Sequence, residues 1–441
     1  MSERGLRTRI YYRNMFLHIG HLQTLYYNDG LARKTDGVCY AIIDDRNEDT
    51  LVADIQEDFD YICLNSTRLI SVKHYEQKID DLFLKYIRAR KIYLLHCNQI
   101  EQDPQVICGF IASPPAHFQL KYMCGEKPDE KNDISAGYTR VCLDGNKLKV
   151  CYIFDFIVVL LDVILDITDV VTTSAGEQTF LNPVIRQHCL DTYFIKGFKY
   201  AKRDWPPTEE RNPSLLTIKG LKNRGVPPAV LYAFYMHGSQ MGCIKISYLD
   251  VLLRTYLKRH SLSVMGVLNP LQVTIQNWQE KRTEYVCKYG SDSLIPLSDV
   301  LYIEQSDVGL DALMKGGICR LRYGQNIRCC DIALGERTPT SMTAEYLDAR
   351  EKDHKDQINW ISSEWGQKPL RACFYRYSWF YTGKNQITEP RISYGYIARE
   401  VFNDLQTIYC MERIGYFIYN KKLSSLEGLP TFVCITSIGD Y

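Results

Sequence analysis

Apolar residues recur along the first hundred positions in two different periods. Ile10-Tyr11-Tyr12 and Val38-Cys39-Tyr40-Ala41-Ile42-Ile43 are short continuous runs, the pattern of buried strands. Between them Leu22, Leu25, Tyr26 and Leu31 repeat at helical spacing, which predicts a helix from Gly20 to Lys34. A second helix is marked by Ile79, Leu82, Phe83, Tyr86 and Ile87. Strands alternating with helices predict βαβ units around a parallel sheet.

From about Asn98 to Lys149 the pattern loosens. Pro104, Pro114-Pro115 and the polar run Gly125 to Gly137 predict loops and an inserted lobe. Asp144-Gly145-Asn146 reads as a hairpin turn between two apolar runs. The apolar run after Phe154 returns to the core, and Asp204 to Pro213 reads as a linker. Helical signals follow through Arg259. Beyond Val264, short strands separated by Gly, Asn and Asp predict β-barrels.

Composition narrows the classes. With 53 Lys+Arg against 52 Asp+Glu the net charge is +1, which excludes a generically basic nucleic-acid coat and an acidic disordered tail. A local basic groove stays open, because net charge averages over all faces. The 16 Cys are dispersed with no C-x-x-C pair, so no metal frame is expected and the thiols read as small packing residues of a reducing compartment. The most apolar stretch, Ile157 to Ile167, contains Asp162 and Asp166 and falls well short of the ~20 residues of a bilayer span. The first residues carry no apolar signal core, so a cytoplasmic protein without a membrane partner is predicted.

The most specific local chemistry is Leu17-His18-Ile19-Gly20-His21, placed after a strand and opening a helix. Glycine lets the backbone approach a ligand closely, and a helix start favours anions. The next strand ends in Asp44-Asp45-Arg46-Asn47, at the strand end where open α/β sheets bind ligands.

These residues resemble the catalytic half of a class I aminoacyl-tRNA synthetase, and within that class the glutaminyl-tRNA synthetases. The similarity continues in Tyr152-Ile153-Phe154-Asp155-Phe156, in Thr217-Ile218-Lys219-Gly220-Leu221-Lys222-Asn223-Arg224-Gly225 and in Val267 to Val273. It ends with Glu412-Arg413-Ile414-Gly415-Tyr416-Phe417, so it runs along nearly the whole chain. The resemblance implies a Rossmann-like catalytic domain with an insertion, a helical connector and anticodon-binding β-barrels. It divides the chain into a first catalytic half (1–97), a shortened acceptor-stem-type insertion (98–149), a second half (150–203), a connector (204–262) and two barrels (263–441). It also implies ATP with magnesium as cofactor, and tRNA or another structured RNA, not DNA, as partner. Residue by residue, His18, Gly20 and His21 match the nucleotide motif, and Asp44 matches the carboxylate that pairs with the amino group of glutamine. Arg320 and Arg322 match an anticodon-contacting strand. Lys196, Lys199, Lys202, Arg203, Lys219, Lys222 and Arg224 are the expected phosphate contacts.

The departures concern the chemistry. The family's lysine loop, with its M-S-K core, belongs between His188 and Pro213. Only Ile195 to Arg203 stands there, with Lys196, Lys199 and Lys202 as the candidate replacements. Met15 stands where the family has glycine, and Phe154 stands for the tyrosine that recognises the substrate amide. Thr168-Asp169 replaces a T-H pair and is expected to add negative charge near the substrate, while Tyr377 stands for an anticodon-strand arginine. Together they predict a synthetase-like pseudoenzyme that binds RNA or serves as a subunit of an assembly. An active glutamine–tRNA ligase with a divergent loop is one alternative. A purely structural protein partner, using the surplus of 32 Tyr, is the other.

Overall fold

A computed structural model describes residues 5–12, 17–46, 51–96, 99–112, 119–123, 126–128, 134–138, 151–152, 154–172, 191–194, 215–241, 244–278, 284–287, 294–309, 314–336, 338–347, 357–363, 367–377 and 389–438. The chain forms two compact units. The first holds residues 1–210, 217–219 and 231–245, and the second holds 211–216, 220–230 and 246–441.

The first unit is built on a parallel sheet of β1 (Arg7–Tyr12), β2 (Val38–Ile43) and β3 (Thr67–Ser71), in that order. The register pairs Tyr12 with Ile43, so β1 and β2 end side by side. Helix α1 (Leu22–Lys34) returns the chain from β1 to β2, and α2 (Leu51–Tyr61) returns it from β2 to β3. The expected βαβ order is therefore present, and both strand runs fall where continuous hydrophobicity placed them. Helix α3 (Glu76–Arg88) then buries Ile79, Phe83 and Ile87, the stripe expected from the spacing.

Strands β4 (Ile92–His96), β5 (Gln99–Glu101), β6 (Gln119–Tyr122), β7 (Ile134–Tyr138) and β8 (Cys151–Tyr152) make a separate antiparallel sheet, with α4 (Pro104–Ala112) between β5 and β6. The hairpin turn expected at 144–146 lies outside the described residues. Helix α5 (Phe154–Ile164) carries the apolar run into the core through Phe156, Ile157, Leu160 and Leu161. Its charge at Asp162 is buried and matched by Arg9 of β1, with Nε to Oδ1 at 2.7 Å. Strand β9 (Asp169–Thr172), paired in parallel with β10 (Asp191–Phe194), runs beside β1.

The second unit begins with helical segments and continues into two barrel-like sheets, each of seven strands among the described residues. Helix Ser247–His260 buries Leu249, Leu253 and Leu257. One sheet runs in the order Gln357–Ile358, Ile318–Leu321, Asn326–Leu334, Pro339–Tyr346, Pro270–Ile275, Val300–Glu304 and Trp360–Ser362. The other runs Leu262–Val264, Tyr409–Met411, Gly415–Tyr419, Thr431–Ser437, Leu370–Arg376, Arg391–Ile397 and Gly266–Leu268. Each encloses its own apolar core, one around Trp360 and one around Phe374, Phe417 and Phe432. Gly225 closes helix Ile218–Arg224 with φ +83°, and a Cβ there would meet Ile418 at 2.6 Å, so the motif's last position needs glycine. The architecture is the expected one: a Rossmann-like α/β unit with an insertion, a helical connector and C-terminal barrels.

Of the described cysteines, Cys39, Cys319, Cys329, Cys373 and Cys434 are buried free thiols, in keeping with packing residues. Cys63 and Cys108 are exposed instead. No described helix is long and apolar enough to cross a membrane.

Candidate functional site

Leu17 and Ile19 are fully buried, and they pin the chain after β1 so that His18 and Gly20 lie between core anchors and the surface. Ile19–His21 is a single 3₁₀ turn that leads into α1. Three backbone donors here are satisfied locally. The Gly20 N–H donates to His18 Nδ1 at 3.1 Å, and the His18 N–H donates to His21 Nδ1 at 3.2 Å. The His21 N–H donates to the His18 carbonyl at 2.8 Å. This reciprocal cap stacks the two rings at 3.8 Å.

Because each Nδ1 accepts, each imidazole holds its proton on Nε2 and is neutral. Burial pushes His21 down to about 3, and the neighbouring His18 adds to the shift. The edge of Tyr12 meets the His21 ring at 5.4 Å. Its phenol is buried, finds no hydrogen-bond partner among the described residues, and is pushed well above the ordinary tyrosine range by desolvation first. An antiparallel bridge joins His18 to Thr217, and the Ile218 N–H donates to the Leu17 carbonyl at 2.8 Å. Thus the first motif and the start of the Thr217–Gly225 motif meet, although they lie far apart in sequence.

Asp44 follows β2 directly, its N–H reaching the Tyr12 carbonyl at 3.3 Å. It therefore lies at the same sheet edge as the histidine turn. Its carboxylate is gripped by Arg46 in a two-point fork, Nε to Oδ1 and Nη2 to Oδ2, both at 2.7 Å. The third nitrogen of Arg46 donates to the Tyr152 carbonyl at 3.2 Å. Asp45 points elsewhere: it accepts from Ser71 Oγ at 2.5 Å and from the Lys73 N–H at 3.2 Å, a structural tie to the end of β3. Arg46 is thus the residue that motif reading passed over. The signal available was an arginine two places beyond an aspartate just past a strand end, within reach of a bidentate pair.

Other expected positions are distributed differently. Phe154 opens α5, and its side chain lies outside the description. Thr168-Asp169 is corrected: Asp169 begins β9, and the pair does not lie beside the expected substrate position. The Thr168 N–H donates to the Arg7 carbonyl at 2.9 Å, at the start of β1, whereas the candidate site lies at the end of β1. Lys196, Lys199, Lys202, Arg203 and Met15 fall outside the described residues.

Two expected phosphate contacts are corrected. Lys219 is buried and paired with Asp54 of α2 at 2.8 Å. Arg224 is also buried, with Nε donating to the Ile435 carbonyl at 3.0 Å, and desolvation lowers it to about 10. Lys222 is half-buried. Arg320 lies on Ile318–Leu321, and Arg322 in the turn after it. Arg322 Nε meets Glu412 at 2.5 Å, and the Tyr323 hydroxyl donates to the same carboxylate at 2.7 Å. That engagement makes Arg322 a tie between the two barrels.

The family described as tRNA synthetases class I (E and Q), anti-codon binding domain, matches residues 264–346. Glutamine–tRNA ligase, cytoplasmic, from Arabidopsis thaliana is 24% identical over 429 residues, covering 81% of this chain and 54% of that protein. Glutamine–tRNA ligase from Rhodopirellula baltica is 25% identical, covering 80% of this chain and 72% of that protein. Along most of its length the chain is similar to glutaminyl-tRNA synthetases. Glutamate-tRNA synthetase from Elizabethkingia anophelis matches 58% of this chain and 72% of its own, with 12% identity and a TM-score of 0.38. This synthetase-like chain spans about half the length of the plant relatives it matches. The family match falls mainly on the barrel around Trp360, so that barrel is of anticodon-binding type.

Proposed function

We propose that this glutaminyl-tRNA-synthetase-like chain is a pseudoenzyme that binds tRNA or another structured RNA without aminoacylating it. The observation that carries the reading is the Arg46 fork on Asp44. In the resemblance, that carboxylate takes the amino group of glutamine. Here a guanidinium already takes one acceptor site on each of its oxygens and neutralises its charge, so a substrate ammonium must compete with an intramolecular partner. The sequence adds a second reason, since no M-S-K loop supplies lysine to a developing phosphate charge.

ATP with magnesium would bring an activated α-phosphate. The described residues suited to hold it are His18 and His21, as neutral donors through Nε2–H, while the backbone N–H groups of His18, Gly20 and His21 are already engaged. The nucleotide half of the site therefore fits an anion better than the amino-acid half fits glutamine. For RNA, the proposed phosphate contacts are Lys196, Lys199, Lys202, Arg203 and Lys222, with Arg320 on the barrel. The five-part division of the chain and a cytoplasmic location belong to the same proposal.

The test is ATP–pyrophosphate exchange with glutamine, run beside tRNA retention across a salt series. Exchange at background with salt-steep tRNA retention is expected. Clear exchange would restore the active-ligase alternative. Failure to retain tRNA at low salt would remove the RNA partner and favour a structural subunit.

A further inference from the structure

Within the second unit a cavity of about 160 Å³ opens where the two barrel-like sheets adjoin. Its walls are aliphatic: Met265, Ile295, Pro296, Ile361, Pro369 and Ala398. Two serines also line it, and both hydroxyl protons are already donated. Ser263 donates to Glu412 at 2.6 Å, and Ser362 to the Pro296 carbonyl at 2.7 Å. The interior therefore offers a guest mainly hydrocarbon, with the Gln367 amide and the serine oxygens as its neutral polar groups. An apolar cavity of ~150 Å³ admits a benzene-sized group, so the space suits about six carbons.

The mouth has a different character. Lys368 and Arg399 stand there with Glu400, two cations against one carboxylate. Arg399 is held in place by Nη2 and Nε donating to the Lys368 carbonyl, at 3.1 and 3.4 Å. Leu294, which also lines the cavity, is 54% exposed, so the apolar wall continues out to the surface. No aromatic ring is among the described residues that line the cavity, so it offers no platform for a nucleobase, which proteins hold by stacking.

We infer that this cavity binds a small aliphatic carboxylate, its hydrocarbon end among the aliphatic walls and its charge at Lys368 and Arg399. The assignment is independent of the Asp44 site, so it stands or falls apart from the pseudoenzyme reading.

Calorimetric titration of the full chain with hexanoate and with hexylammonium, which shares the tail and reverses the charge, tests it. Hexanoate is expected to bind one to one and hexylammonium at least about fivefold more weakly, the scale of one exposed charge contact. Ile361→Trp should abolish hexanoate binding by filling the cavity. Because that variant loads the core, Lys368→Glu at an exposed position provides the second arm, with at least about fivefold weaker binding expected. Equal binding of both ligands, wild-type affinity in Lys368→Glu, or no hexanoate binding would overturn the assignment. So would displacement of hexanoate at lower concentration by cytidine monophosphate or by an acidic leucine peptide, which would assign the cavity to a nucleotide or a protein partner.

Discussion

Replacing Arg46 by alanine should open the Asp44 carboxylate to an ammonium group. The fork consists of two charge-assisted contacts of 2.7 Å, with Arg46 and Asp44 side chains 26% and 15% exposed. Hydrogen bonds to charged groups contribute ~1.5–3 kcal/mol net. Treated as one bidentate unit at partial exposure, the pair is worth about 2 kcal/mol. A ligand that must break it binds weaker by that amount, a factor of about thirty. Glutamine should therefore bind Arg46→Ala about thirtyfold more tightly than wild type, read by isothermal titration. The control is glutaramic acid, which keeps the amide and carboxylate but lacks the amino group, and it should gain nothing. Adding Asp44→Asn to Arg46→Ala should remove the gain. Equal glutamine affinity in wild type and Arg46→Ala would refute the reasoning, as would an equal gain for glutaramic acid.

The other expectations test the frame that holds the site. Asp162→Asn leaves Arg9 buried without its counter-charge and should lower the protection of β1 and α5 by ~3–5 kcal/mol in hydrogen exchange. The paired change Arg9→Met with Asp162→Leu should cost far less, and equal costs would refute the buried-pair account. Glu412→Gln removes the carboxylate shared by Arg322, Tyr323 and Ser263, and should cost the barrel unit about 2 kcal/mol in urea unfolding followed by tryptophan fluorescence. An unchanged midpoint would dismiss Glu412 as a tie. His21, held near 3, should remain neutral in histidine NMR spectra from pH 8 to 5. Since the unfolded chain takes that proton first, the contribution is intact above about pH 6.5 and is lost progressively as pH falls toward 3. Glu304 runs the other way: burial first, then Asp307, push it up to about 7. Its contribution is full below about pH 4.5 and lost as pH rises through 7, and Glu304→Gln should flatten that limb of the stability profile.

The legible and illegible parts of the molecule separate along a physical line. Periodicity is a local signal, so β1, β2, α1 and α3 fell where apolar spacing put them. The histidine turn was legible too, because a strand, a glycine and a helix start are consecutive in the chain. What could not be read was which side chains arrive from elsewhere. Lys219 and Arg224 look in sequence like a solvated basic run, yet Asp54 neutralises the first and backbone carbonyls hold the second. The burial of Arg224 has a trace in hindsight: Leu221 and Arg224 share one helix face, and the face is apolar. Thr168-Asp169 failed for another reason. A motif match fixes which residues correspond but not which end of a sheet they reach, and β9 starts where β1 starts. Arg46 is the instructive case, because neither periodicity nor motif singles it out. Only the geometry at the β2 end shows a guanidinium seated where a substrate amine is expected. On the proposed reading, a synthetase-like scaffold keeps its histidine turn and its barrels while Arg46 occupies the carboxylate expected to take the substrate amine. That is why retention of the motif alone does not argue for retention of the reaction.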